Sequence, residues 1–395
     1  MTVLDKTQAR ILVVDDNEMN RDLLSRRLQR KGYRVDTAAG GNSGLEMAMT
    51  GKYQLVLLDI MMPDVDGLTV LQRIRALHSK MELPVIMATA RDEGKDLAEA
   101  LSLGANDYVT KPLDFAVVQA RVENVLGNTL AANELARANE RMNRDLEAAA
   151  RVQASLLPDE TVAIKGADFL WRYLPCDELA GDGLNVFSQD NDHVAMYVLD
   201  VSGHGVASAL LSVSVTHHLS QLIGNQLSAE HCEYTGGNIV SPAWLARNLN
   251  GLFPMESAGR HYFTFLYGVL NVKTGVFCYV SAGSPGPLIV HPDGSTDVHD
   301  VPAVPIGMFP DSEYTDSRLE LQPGDRLYLH TDGLYEERTP ETREEFGRER
   351  MQLALCRAAG GAFADSLDGL LEEIARWRGG EGLSDDIAVL GCQLG

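Results

Sequence analysis

The sequence predicts a multidomain chain: a doubly wound α/β domain with a five-stranded parallel sheet, a long helical coiled-coil connector, and an α+β domain of packed β-sheets flanked by helices. Three observations carry this reading. Short apolar runs alternate with helical periodicity up to residue 126. A stretch of strong helix formers follows, free of glycine after Gly127 and of proline before Pro158. Beyond it, half-buried strand patterns outnumber helical ones. At 395 residues, 45% of them hydrophobic, the chain is long enough for two or three cores.

The first strand is Arg10–Asp16 (RILVVDD), and Met19, Leu23, Leu24 and Leu28 give Asn17–Arg30 helical spacing. The unit repeats: strand Tyr33–Ala38, helix Gly44–Met49, strand Gln54–Leu58, helix Leu68–Leu77, strand Leu83–Ala88, helix Asp96–Leu103, strand Asp107–Val109 and helix Asp114–Leu126. Strands apolar throughout fit a parallel sheet covered on both faces, whose function gathers at the carboxyl ends of its strands. Those ends carry Asp15 and Asp16, then Asp59, Thr89, and Lys111 in a TKP sequence. Three converging carboxylates repel one another and call for a cation, and hard oxygen donors suit Mg²⁺. The metal then neutralises a phosphoryl group arriving on Asp59, with Lys111 and the Thr89 hydroxyl on its other oxygens. Asp64 and Asp66 suit the turn around Pro63 and Gly67.

In the connector, Leu135, Met142, Ala149 and Leu156 recur every seven residues, while Asn139 and Gln153 interrupt the accompanying line of Leu146 and Val152. One amphipathic helix of about 45 Å is expected, pairing with a second copy through a seam weak enough to switch. The expected boundaries are 1–126, 127–157 and 158–395.

In the last segment, strands Phe169–Leu174 and Val194–Leu199 flank LAGDGLN, and Thr264–Asn271, Phe277–Ala282, Leu288–His291 and Asp325–His330 follow. Asp182, Asp200 and Asp332 lie in glycine-bearing turns, and Asp385 leads into a final strand. One such Asp is most simply a turn or helix cap. Four of them at strand ends suit two divalent cations, ~3.5–4 Å apart, that share a hydroxide facing a phosphate ester. His204 fits either a proton donor or a plain turn residue, and Arg172 and Arg260 are candidates to hold phosphate. Gly224–Pro242 is polar and Gly-rich, as expected of a mobile flap.

The net charge of −22 and the absence of a basic recognition helix exclude nucleic acid and anionic membrane as default partners. No signal-peptide pattern or transmembrane-length apolar run is evident, and five scattered cysteines without CxxC spacing fit a reducing, cytoplasmic setting.

With DD, DIMMPDVDG, TA and KP in order, the first domain resembles a CheY-like response-regulator receiver domain. The resemblance implies that Asp59 is the phosphoacceptor. It also implies that Asp16, Asp59 and the Met61 carbonyl bind Mg²⁺ with Asp15 in support, that Thr89 and Tyr108 form the switch pair, and that a sensor histidine kinase acts upstream. From ARVQASLLP through AGD, DVSGHG, TDG and SDDIAVL, the rest resembles the SpoIIE-like branch of the metal-dependent Ser/Thr protein phosphatases, the PPM family. That implies Asp182, Asp200, Asp332 and Asp385 as ligands of two Mn²⁺ or Mg²⁺ ions. The Val201 carbonyl would be a further donor, Asp386 would support from behind, and the substrate would be a phosphorylated anti-sigma-factor antagonist. The sequence departs from that pattern at Gly183 and Asn185 in AGDGLN, where an aromatic and a second acidic residue are usual. It departs again at Ser284 in SAGSPGP, where a histidine is common. Regulators similar to RssB keep such a fold without catalysis, so a non-catalytic adaptor for a sigma factor or anti-sigma partner is the alternative. The four retained acids favour catalysis.

Overall fold

The computed structural model describes residues 9–90, 94–158, 166–224, 230–234, 239–256, 258–380 and 382–395. The chain divides into two compact units, Met1–Asn143 and Arg144–Gly395.

The first unit alternates β1 (Arg10–Val14), α1 (Glu18–Arg30), β2 (Arg34–Ala38), α2 (Gly41–Ala48), β3 (Leu55–Asp59), α3 (Gly67–Arg75), β4 (Val85–Ala90), α4 (Gly94–Ser102) and β5 (Asp107–Lys111), and then enters α5 (Phe115–Ala154). The strands form a parallel sheet in the order β2-β1-β3-β4-β5. The unbroken apolar runs of β1 and β3 follow from burial on both faces, whereas β2 and β5 are mixed and only partly buried. Leu12, Val14, Val56 and Leu58 pack into one core, while Ile11, Val13, Leu55 and Leu57 pack into the other. Side-chain caps start the helices: Asn17 accepts from Met19 N on α1, and Asp66 from Thr69 N on α3. Asp64 accepts from Gly41 and Asn42 N at the start of α2, and these backbone bonds, Asn42 first, pull its carboxyl down to about 2. Asp64 and Asp66 thus serve the loops around the site.

α5 is one helix of 40 residues, about 60 Å long at ~1.5 Å per residue, where two helices meeting at Leu126 had been expected. A glycine costs a helix only about 1 kcal/mol relative to alanine, and Val122, Val125 and Leu126 are buried just before Gly127. The helix ends at Ala154, so Leu156 lies beyond it and is not part of any helical seam.

The second unit holds two five-stranded antiparallel sheets. β7 (Gly183–Ser188), β8 (His193–Val201), β9 (Phe263–Asn271), β10 (Val276–Ala282) and β13 (Ser317–Glu320) form one. β6 (Ala167–Leu174), β11 (Leu288–Val290), β12 (Thr296–Val298), β14 (Arg326–His330) and β15 (Ile387–Leu394) form the other. Val198, Leu266 and Phe277 from the first pack with Leu327, Leu329 and Leu390 from the second, so the two sheets share a core face to face. α6 (Val206–Gly224) and α7 (Pro242–Leu252) cover one outer face; α8 (Gly333–Glu336), α9 (Arg348–Ala358) and α10 (Ser366–Trp377) cover the other.

The sequence reading left β7, β12, β13 and α7 to α10 unassigned. AGDGLN, read as a turn, ends by starting β7, whose Gly183 and Asn185 pair with Leu199 and Tyr197. By length and composition alone α6 could cross a membrane, contrary to the expectation that no run would. One face of it packs here through Ser208, Ala209, Ser212, Val215 and Leu219, while Val206 and Leu210 stay exposed. Of the expected flap, residues 225–229 and 235–238 lie outside the described residues.

Candidate functional site

In the first unit, Asp15, Asp59 and Lys111 meet at the carboxyl ends of β1, β3 and β5. Lys111 Nζ lies 2.7 Å from Asp59 Oδ2 and 3.1 Å from Asp15 Oδ2. Burial raises the Asp59 carboxyl above its ordinary range, opposed by the bond and charge of Lys111 and reinforced by Asp15 and Asp16. Burial alone would lower Lys111, but Asp59 and Asp15 outweigh it and hold the ammonium charged. Asp15, Asp16 and Asp59 bring carboxylate oxygens within 4.8 Å of one another, with Asp16 exposed to solvent, as a hard cation that keeps some of its water requires. Thr89 is buried at the end of β4, and Met61 follows Asp59 by two residues in an exposed loop. Asp15, Asp16, Asp59, Met61, Thr89 and Lys111 thus lie on loops or near the carboxyl ends of strands, whereas Tyr108, the expected switch partner of Thr89, lies early in β5 opposite Met87.

In the second unit, four turns converge. A side chain on Gly181 would come within 2.9 Å of the Val201 carbonyl, so the AGD turn needs glycine to lie against the DVSG turn. One on Gly333 would come within 2.0 Å of the Asp386 carbonyl, which fixes TDG against SDD in the same way. Asp386 is buried and accepts from Cys176 N at 2.8 Å and Gly181 N at 2.6 Å, so it holds the AGD turn in place. Thr331 Oγ1 donates to Asp182 Oδ2 at 2.7 Å, and Tyr173 Oη and Ser212 Oγ donate to the Asp182 carbonyl.

All four predicted ligand carboxyls are raised above their ordinary range. For Asp182 the causes are burial, then the charge of Asp200, eased by the Thr331 bond. Burial together with Asp332, Asp385 and Asp386 pushes Asp200 up to about 7. Burial raises Asp332 and Asp385, the latter also through Asp332 and Asp386. Asp182, Asp200, Asp332 and Asp385 are oxygen donors linked by mutual charge, the donor type that Mg²⁺ or Mn²⁺ prefers over soft metals, and among the described residues Asp385 also shares a group within 4.8 Å with Asp386 and Cys176. The residues present fit such ions.

Arg172 forks onto Asp368, with both bonds 2.7 Å, and cannot also serve as a phosphate clamp. Arg260 sits on an exposed left-handed turn, φ 68°. His204 Nδ1 lies 3.0 Å from Asp177 Oδ2 and remains exposed. Gln153, read as a flaw in the helical seam, is instead buried. Its Nε2 donates to Ala180 O at 2.6 Å, and its Oε1 accepts from Ala180 N at 3.2 Å. Asn185 Nδ2 donates to Leu156 O at 3.1 Å. The first two bonds tie the end of α5, and the third the residues just after it, to the segment that carries Asp182. A polar residue in an apolar line was the only sequence signal for them.

Comparison with known proteins agrees with this architecture. The structure superposes on the SiaA-PP2C domain of Pseudomonas aeruginosa with a TM-score of 0.55 at 20% identity, covering 65% of this chain and 99% of that one, a likeness of fold. A family model described as a response regulator receiver domain matches residues 11–123. Transcriptional regulatory protein DltR of Streptococcus agalactiae is 41% identical over 138 residues, 34% of this chain and 61% of that protein. The alkaline phosphatase synthesis transcriptional regulatory protein PhoP of Bacillus subtilis is 40% identical over 151 residues, 38% of this chain and 61% of that protein. The chain thus spans less than two thirds of these curated relatives. Fold and family matches together define a receiver joined to a domain of the PP2C fold. A second family model, Stage II sporulation protein E (SpoIIE), matches residues 190–394, and the chain belongs to that family. Asp200, Asp332 and Asp385 fall within the match, whereas Asp182 lies just before it.

Proposed function

We propose that this protein is a response regulator whose receiver, phosphorylated on Asp59 by a sensor histidine kinase, controls hydrolysis of phosphoserine or phosphothreonine on a partner protein. The partner is a phosphorylated anti-sigma-factor antagonist, and the output is control of sigma-factor activity in the cytosol. The observation that carries the reading is the set of four raised carboxyls at turns knit together by Gly181 and Gly333.

In this reading Asp182, Asp200, Asp332 and Asp385 hold two Mn²⁺ or Mg²⁺ ions, with the Val201 carbonyl as a further donor. Bound divalent ions supply Lewis acidity and a water acidic enough to attack at neutral pH. Thr331 donates to Asp182 and eases its carboxyl downward against burial, and Asp386 keeps the AGD turn in register. In the receiver, Asp15, Asp16, Asp59 and the Met61 carbonyl hold Mg²⁺, and Lys111 moves from Asp59 Oδ2 onto the phosphoryl oxygens. Thr89 is the other donor to that group.

The test uses the full chain with Mn²⁺, p-nitrophenyl phosphate and a phosphorylated antagonist, with and without beryllofluoride. Asp200→Ala is expected to abolish hydrolysis, and Asp59→Asn to remove the response to beryllofluoride. Turnover that survives Asp200→Ala rules out the two-metal reading. Absence of turnover in the wild type, with fewer than two divalent ions bound by the phosphatase unit, favours the adaptor.

A further inference from the structure

The carboxylate-lined site has beside it an arginine that the sequence did not single out. Arg348 opens α9 immediately after Gly347. Its Nη2 donates to Tyr335 Oη at 3.1 Å, its Cζ stands 5.0 Å over the Tyr335 ring, and its Nη1 donates to Asp300 Oδ2 at 3.0 Å. Tyr335 belongs to the turn that Asp332 begins: Tyr335 N donates to Asp332 O at 2.9 Å, and Gly347 N donates to Tyr335 O at 2.8 Å. The guanidinium is therefore held by the side chain of a residue in the turn that Asp332 begins, and its charge eases the Asp332 carboxyl downward against burial. It is half-exposed, and a guanidinium has five N–H donors, of which Asp300 and Tyr335 take two. The Tyr335 ring is backed by His330, edge-on at 5.7 Å, whose imidazole burial lowers to about 4 and so keeps neutral.

We infer that Arg348 binds phosphoryl oxygens of the substrate, presented by the Tyr335 ring and the Asp300 carboxylate. The inference rests on the phosphatase reading of the site. The ring stacks the planar fork and limits its rotamers, so little freedom is lost when the fork meets phosphate. Asp300 is itself held by Gly286 N at 2.9 Å, and it occupies one edge of the fork until a dianion competes for it. Arg172, by contrast, holds Asp368 through two bonds of its fork.

The experiment measures p-nitrophenyl phosphate hydrolysis and calorimetric binding of inorganic phosphate. It compares the Mn²⁺-loaded full chain with Arg348→Gln, Arg348→Lys and Asp300→Asn. Loss of a charged hydrogen bond predicts about a tenfold rise in KM and in phosphate Kd for Arg348→Gln, kcat within about twofold, and partial recovery in Arg348→Lys. Asp300→Asn, which frees the fork, is expected to leave KM at or below the wild-type value. The inference is overturned if Arg348→Gln unfolds like wild type and keeps its KM and phosphate Kd. It is also overturned if Asp300→Asn weakens phosphate binding as much as Arg348→Gln. A wild-type chain that binds phosphate but hydrolyses nothing defeats the phosphatase reading instead, and the Arg348 comparison still stands on phosphate affinity.

Discussion

At the residue scale, Asp200 is the most informative group. Its carboxyl has a folded pKa of about 7 against an ordinary 3.8, because it is buried among Asp332, Asp385 and Asp386. A raised carboxyl binds its proton more tightly in the folded state, so stability falls as pH rises between those two values. Bound cations take the proton's place, and metal binding releases protons. Stabilisation by Mn²⁺ is therefore expected to grow from about pH 4 to about pH 7, read as the difference in Tm with and without the ion. A pH-independent difference would show that Asp200 is no ligand. The acids themselves were legible in the sequence, because each stands at a strand end or in its turn, where local pattern is strongest. Arg348 was not, because its meaning depends on Tyr335 and Asp300, 13 and 48 residues away. The candidacy of Arg172 failed for the same reason: Asp368 lies 196 residues from it.

At the scale of elements, the end of α5 is fastened to the Ala180 peptide by both polar atoms of the Gln153 amide. Replacing Gln153 with Ala strands a buried carbonyl and a buried N–H. The expected loss is about 1–3 kcal/mol in the stability of the second unit, measured by urea unfolding. Apparent Mn²⁺ affinity is expected to fall as well, since Ala180 is two residues from Asp182. Unchanged affinity would mean that Asp386 alone secures the AGD turn. Periodicity made α5 legible as a helix but misjudged its limits. Helical spacing does not distinguish a residue facing an unformed partner from one facing its own domain. β7 was hidden for a related reason: a glycine-rich turn and an edge strand share the sequence AGDGLN.

At the scale of the whole molecule, α5 leaves Leu130, Leu135, Met142 and Val152 exposed, apolar positions that a second copy of the helix would cover. Replacing Leu135 and Met142 with Gln is expected to give monomers by sedimentation, with metal-dependent hydrolysis retained and the response to beryllofluoride lost. A variant that stays dimeric would reduce the helix to a tether. The doubly wound fold, the packed sheets and the acids were readable because strands and their turns repeat a short-range grammar. Pairings between distant segments have no such local signature.

The uninterrupted course of α5 through Gly127 also sets a rule for how such chains are recombined. An α-helix carries angular phase, since each inserted residue turns the helix beyond it by about 100° and advances it ~1.5 Å. Input modules spliced onto this phosphatase should therefore work only at insert lengths near whole turns, such as seven residues. Inserts of two or five should leave both halves folded but uncoupled. Within a lineage, the spacing between input and output would then drift in quantised steps rather than residue by residue.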